Sequence, residues 1–229
     1  MDRTQDVAAP PSDQSKAERV YVELRRRIRD LVLPPGAPIR KEAIALELGV
    51  SRAPVSEAIS RLADEALVDV YPQHGSFVAP IRAEDVRESL FIRIALEVEA
   101  VRHVTQRADP VLVTRLEENL AAQREALQRD DLSAFYELDE QMHATIFGAL
   151  NSPRAERLLN AARAPLDRPR RLALPEPGRA EATFQEHRRL VDGISSGDPE
   201  LAAAAMRAHL NMVARTVEHD LAQVDTADG

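Results

Sequence analysis

Asp139, His143, His187 and His209 are the residues of this chain whose types and spacing could do chemistry. Asp139 and His143 stand four apart in LDEQMHATIFGAL. Residues at i and i+4 share one helix face, so these two can grip one ion together. His187 opens EHRRLVDGI and His209 closes AMRAHL, each inside its own helical pattern. One carboxylate and three neutral imidazoles suit a divalent transition metal that keeps an open position. Zinc or nickel is the expected ion, one per subunit. Such a site on its own suggests an enzyme. No second constellation supports that reading, because the chain has no nucleophile elbow, phosphate loop or H-E-x-x-H motif. A metal-dependent hydrolase or lyase, with the ion activating water, is kept as an alternative, as is a direct sensor of the metal itself.

The elements that must position these residues are helices. From Ala83 onward the chain shows no strand signal and about six amphipathic helical patterns. They cover 83–107, 111–129, 132–150, 152–173, 181–196 and 199–224, and the fourth is expected to break at Pro165 or Pro169. RADP, QRDD, LNSP, LPEPGR and SGDP supply caps and turns between them. Arg93, in FIRIALE, falls on the expected inward face, where it could pair with the carboxylate of a ligand or with Glu97 one turn on. Arg168, Arg170 and Arg171 read as a solvated face, with the lining of the pocket by one of them kept as the alternative, and Glu137 and Glu140 read as pointing away from the metal ligands.

The N-terminal part is organised differently. Residues 1–15 are polar, contain Pro10 and Pro11, and read as a disordered arm. Val20, Leu24, Ile28 and Leu31 give an amphipathic helix from about Ala17, which LPPGAPI ends. A short helix is expected over about Arg40–Leu48, with Ile44 and Leu48 inward and Gly49 at its C′ position. Another is expected over about Ala53–Asp64, with Ser51 as N-cap, Pro54 in its first turn and a buried stripe of Val55, Ile59 and Leu62. LVDVYPQHGSFV then reads as two strands around a turn with Gly75 at its tip. Three helices followed by a β-hairpin make a winged helix-turn-helix, a DNA-binding fold. The fold class is therefore mainly α: an N-terminal winged helix-turn-helix over 16–82, then an all-α helical bundle over 83–222 and a tail over 223–229.

Composition agrees. Aromatic residues are 3% of the 229, a leaning toward helix, and there is no cysteine for disulfides or thiolate ligation. No apolar run approaches a membrane span and the N-terminus has no signal-peptide core, so the expectation is a cytoplasmic protein without a membrane partner. The net charge of −8 is uneven: residues 16–82 hold 11 Lys/Arg against 9 Asp/Glu, which is +2 and leaves −10 for the rest. That distribution permits phosphate contacts near the N-terminus.

The segment PPGAPIRKEAIALELGVSRAPVSEAISRLADEALVDVYPQHGSFV resembles the GntR family of bacterial transcription regulators. The second half, through FIRIALE, the Asp139–His143 pair, EHRRLVDGI and AMRAHL, resembles the helical ligand-binding domain of its FadR-type members. The resemblance spans about residues 17–220. It implies a dimer on a pseudo-palindromic operator, much of the dimer contact lying in the helical domain. It also implies that Asp139, His143, His187 and His209 match the ligands of a metal-binding subgroup. A small carboxylate or hydroxy acid, held partly by Arg93, would be the effector. The expected DNA contacts are Arg40, Lys41, Ser51, Arg52, Ala53, Pro54 and Ser56, with His74 and Gly75 on the wing. Three positions depart from the family: Ser56 and Glu42 stand where arginine is usual or frequent, and Ala66 where glycine is frequent. The operator should differ accordingly.

Overall fold

The computed structural model describes residues 13–107, 109–173, 176 and 178–227, with the side chains of 13–15, 173 and 216–227 left aside. The chain divides into two compact units between Pro80 and Ile81. Among the described residues no helix is long and apolar enough to cross a membrane.

The first unit runs α1 (Asp13–Arg29), β1 (Pro38–Ile39), α2 (Lys41–Leu48), α3 (Arg52–Asp64), β2 (Val68–Tyr71) and β3 (Gly75–Val78). Val20, Leu24 and Ile28 of α1 are buried, as are Val55, Ile59 and Leu62 of α3. The expected stripes are therefore core stripes, and α1 packs on α3. Tyr21 reinforces that contact by donating its hydroxyl to Glu65 at 2.7 Å. Ile44 is buried and Leu48 only half-buried. Leu31 lies beyond the helix with φ +58°. α1 begins at Asp13, inside the segment expected as an arm. Residues 1–12 lie outside the described residues.

The wing contains a strand that the sequence pattern did not suggest. The sheet order is β1-β3-β2, all antiparallel, with Ile39 opposite Ser76 and Val70 also opposite Ser76 on the other side. β1 is two residues long and starts with a proline, which suits an edge strand and gives no periodic signal. The hairpin tip is Pro72–His74. Gly75 is the first residue of β3, paired with Tyr71, and not the tip. At the end of α3, Ala66 takes φ +56°, while Leu67 N–H bonds Leu62 O and Ala66 N–H bonds Ala63 O. This is a Schellman closure whose left-handed position usually goes to glycine.

Among the described residues the regular elements of the second unit are all helices: α4 (Ala83–Arg107), α5 (Pro110–Gln128), α6 (Leu132–Gly148), α7 (Pro153–Ala173), α8 (Arg179–Ser195) and α9 (Pro199–Ala227). Caps expected from sequence are in place. Asp109 accepts from Val111 N–H, Asp131 from Ala134 N–H, and Asp198 from Glu200 N–H and Leu201 N–H. A buried apolar cluster including Val101, Leu116, Met142, Ile146, Leu190 and Met206 joins α4, α5, α6, α8 and α9.

α7 does not break. It continues through Pro165 and Pro169, and residues 163–170 are all buried. Each proline removes one backbone hydrogen bond, and the four-residue spacing places both losses on one side of the helix. Packing against α4, α6 and α9 holds the helix together. This burial also overturns the reading of its arginines: Arg168 and Arg170 are buried, not solvated.

Candidate metal centre and nucleic-acid interface

The helical unit brings Asp139, His143, His187 and His209 together. All four are buried, and one ligand atom from each lies within 4.8 Å of the others. α6 supplies the first two from one face, α8 supplies His187 and α9 supplies His209. The close approach of α8 to α9 depends on Gly193, because a Cβ there would sit 2.9 Å from Ala202 Cα.

The inner edges are short. His143 Nε2 is 3.2 Å from His209 Nε2, and His187 Nε2 is 3.0 Å from Asp139 Oδ1. His143 Nε2 is 3.9 Å from the same oxygen. Bonds of roughly 2.0–2.1 Å to one ion would place neighbouring ligand atoms about 3 Å apart. Asp139 Oδ1 and His187 Nε2 are buried atoms without a hydrogen-bond partner. Such atoms are costly unless something accepts their lone pairs. On these observations the residues present fit a bound divalent ion.

Each imidazole is held from behind. His143 Nδ1 is 2.6 Å from Glu97 Oε2, His209 Nδ1 is 2.8 Å from Glu186 Oε2, and His187 Nδ1 is 2.8 Å from Gln123 Oε1. With Nδ1–H donating in each case, all three Nε2 lone pairs face inward. Burial and the neighbouring His187 and His143 hold His209 well below the usual imidazole range. Burial also lowers His143, against the pull of Glu97. Both are therefore neutral near pH 7, the form that can ligate.

Asp139, Glu140 and Glu97 are ionised despite burial. Burial pushes Asp139 up, but Arg170, His187 and His143 outweigh it and hold the group well below its ordinary range. Arg170 Nη2 contacts Asp139 Oδ2 directly, and its Nη1 donates to Glu140 Oε1 at 2.6 Å. Glu140 thus belongs to the site's surroundings, contrary to the expectation that it points away, while Glu137 is exposed. Burial raises Glu140, yet Arg163 and Arg170 bring it down to about 2. Glu97 is likewise held low by Arg93 and His143 against its burial. Glu186 moves the other way, pushed by burial up to about 7.

For Arg93 both sequence readings have a counterpart. Its side chain is fully buried, and Nε donates to Glu97 Oε1 at 2.6 Å. Nη1 and Nη2 have no hydrogen-bond partner. His103 is exposed, and the side chain of His219 lies outside the described residues.

In the first unit Arg40, Ser51, Arg52, Ala53, Ser56, His74 and Gly75 are exposed, and Lys41 is half-exposed. Arg40 occupies the N-cap position of α2. Ser51 occupies that of α3 but makes no side-chain cap bond, so the expected capping by its hydroxyl is absent. Pro54 corrects the expectation more sharply. It is buried, because position 54 lies one and two turns from Ala58 and Leu62 on the core face of α3. It offers nothing to a thymine methyl. Arg52 stands 3.5 Å from Glu42, with both side chains well exposed. The arginines of α1 are engaged internally: Arg25 with Glu65, Arg26 and Arg27 with Glu23, Arg27 also with Glu47, and Arg29 with Asp30.

Sequence reasoning missed Gln123, Glu186 and Arg163 as neighbours of the site, and reached Arg170 only through the alternative that one arginine of its run lines the pocket. Glu97 carried a signal, four residues after Arg93. Gln123 and Arg163 lie in helical patterns that do not mark them, and Glu186, though next to His187, is set apart only by its contact with His209 of α9.

Residues 16–78 match the family described as bacterial regulatory proteins, gntR family, and residues 88–212 match the FCD domain. The chain is 34% identical over 210 residues to an HTH-type transcriptional regulator in an unstable DNA locus of Streptomyces ambofaciens, covering 92% of this chain and 88% of that one. It is 30% identical over 200 residues to the HTH-type transcriptional repressor RspR of Escherichia coli (strain K12), covering 87% and 88%. A solved transcriptional regulator GntR from Rhodococcus sp. RHA1 shares the fold, with a TM-score of 0.75 at 24% identity, over 90% of this chain and 98% of that one.

Proposed function

The chain belongs to the GntR family of bacterial regulatory proteins and carries an FCD domain, and from that premise we propose a dimeric regulator whose DNA binding responds to a small carboxylate or hydroxy acid at a metal site. That it is a DNA-binding transcription regulator, and not an enzyme, follows from the family. The finer reading is carried by one observation, the convergence of four buried ligand atoms from three helices within 4.8 Å. Asp139, His143, His187 and His209 would hold a divalent ion, zinc or nickel by donor chemistry. Its role is to supply open positions for the oxygen atoms of the acid. Glu97, Glu186 and Gln123 fix the imidazole tautomers, and Arg93 offers two free donors to the same ligand.

On the DNA side, the first turn of α3 would enter the major groove with Arg52 as the main base contact. Arg40 and Lys41 would meet phosphates, and His74 and Gly75 would reach the groove beside the wing. One such head reads few bases, so two heads on a pseudo-palindrome are required.

The test begins with selection of an operator from random duplex DNA, followed by titration of metal-loaded protein with a panel of small acids. An active acid should shift operator affinity about 5- to 150-fold, the range of ordinary allosteric coupling. Arg52→Ala should weaken operator binding by about 1–3 kcal/mol with the metal retained. An affinity that follows chelation and re-addition of metal but ignores every acid would replace this reading with direct metal sensing.

A further inference from the structure

In the winged head, α2 and α3 each put one long charged side chain forward from their first turn, and the two meet. Glu42 is the second residue of α2 and Arg52 the first of α3. Arg52 Nη1 stands 3.5 Å from Glu42 Oε1, with the side chains 74% and 64% exposed. An ion pair this open to water contributes little to stability. What it changes is the set of N–H groups that Arg52 can offer. A guanidinium carries five donors in a rigid fork. With Nη1 turned to Glu42, the edge formed by Nε and Nη2 stays free. That edge holds two parallel donors, the arrangement that matches O6 and N7 of guanine.

The rest of the exposed face of α3 is short or acidic. Ala53, Ser56, Glu57 and Ser60 are exposed, and Arg52 is the only Lys or Arg in residues 52–60. Base reading by this part of α3 therefore falls on one cation. An arginine at a helix start can equally clamp a phosphate, a contact that carries no sequence information. A carboxylate beside it offsets the charge that draws phosphate and leaves the hydrogen bonds to guanine intact. Arg40 and Lys41, next to Glu42 in the chain, remain as cations for the backbone.

We propose that Glu42 is a positioning residue for operator recognition. It holds Arg52 through Nη1, withholds it from phosphate and leaves its Nε–Nη2 edge for guanine. Specificity is a difference between affinities, and here it is raised by weakening the competing contact. At a position where arginine is frequent in the family, this chain carries a restraint on the arginine that follows. The inference rests on the reading of Arg52 as a base contact.

The test uses full-length protein, its selected operator and non-operator DNA of equal length. The base pair read by Arg52 is located as the one whose preference Arg52→Ala abolishes, and all four base pairs are then placed there. Wild type should prefer guanine by about tenfold or more. Glu42→Gln, close in size and uncharged, should cut that preference about threefold, the effect of losing one exposed ion pair. Its binding to non-operator DNA should tighten and the salt slope should steepen by about one, as Arg52 takes up a phosphate. Glu42→Ala should behave alike, and both variants should unfold at the wild-type temperature, since the side chain is exposed. Loss of a carboxylate also lessens general repulsion of DNA, so the decisive comparison is made in the Arg52→Ala background. There Glu42→Gln should leave both the base preferences and the salt slope unchanged. A guanine preference unchanged in both Glu42 variants, or the same steepening of the slope without Arg52, would overturn the inference. An Arg52→Ala protein that keeps every base preference would instead remove the reading of Arg52 on which the inference rests.

Discussion

Gln123 shows how much of the site depends on uncharged support. It is fully buried, its Oε1 lies 2.8 Å from His187 Nδ1, and its Nε2 donates to Asn119 at 2.7 Å. That bond fixes the tautomer that turns Nε2 of His187 inward. Gln123→Ala should weaken metal binding about 10- to 100-fold, the usual effect of losing a ligand's outer hydrogen bond. Competition with a chromophoric chelator measures this, and an unchanged constant would mean that packing alone orients His187. Legibility at this scale followed sequence distance. Asp139 and His143 were readable because one helix turn separates them. His187 and His209 needed the family resemblance as well, since nothing local ties two separate helices to one point. Gln123, Glu186 and Arg163 were not readable, because an orienting partner is defined only by tertiary contact. Pro54 was misplaced for a related reason: its position in the first helical turn was right, but the face it takes is set by how α3 sits on the core.

The helices that carry the ligands depend on close packing as much as on pattern. Gly193 lets α8 approach α9, and those two helices carry His187 and His209. In Gly193→Ala the new methyl would meet Ala202 backbone at 2.9 Å, where no flexible side chain can yield. The helices must separate, at a cost of about 1–3 kcal/mol. Thermal unfolding should show the loss, and metal affinity should fall with it, because the two imidazoles move apart. A variant as stable as the wild type with unchanged metal affinity would show that the helix spacing is not set at this contact. Most elements were legible from periodicity and from the aspartate caps at 109, 131 and 198. The exceptions have physical causes. β1 is too short to show alternation, and α7 carries two prolines whose lost bonds are offset by burial on several sides, which no local rule detects.

For the whole protein, the buried charges of the helical unit make stability depend on pH. Burial and neighbouring groups depress His143 and His209 below their ordinary 6.5. Asp139 and Glu97 are held low, and Glu140 falls from 4.5 to about 2. A group depressed in the folded state contributes stability that is present above its unfolded value and lost as pH falls toward the folded one. The imidazoles therefore act below about 6.5 and the carboxylates below about 4.5. Glu186, raised to about 7, runs oppositely and favours the folded state as pH falls from 7 to 4.5. Two imidazoles and three carboxylates outnumber it, so the Tm of metal-free protein should fall on acidification from pH 7 to 3. A flat or rising Tm over that range would contradict the assigned charges. The division into a winged head and a helical unit was readable from the switch between patterns near residue 80, whereas the buried arginine network of the second unit was not. The central claim is that this unit binds a metal through Asp139, His143, His187 and His209. Elemental analysis of untagged protein, beside the His143→Ala/His187→Ala double variant, tests it most directly. The account predicts about one divalent ion per chain in the wild type and none in the variant. A wild type that stays metal-free after incubation with zinc and with nickel, or a variant that keeps the full metal content, would contradict it.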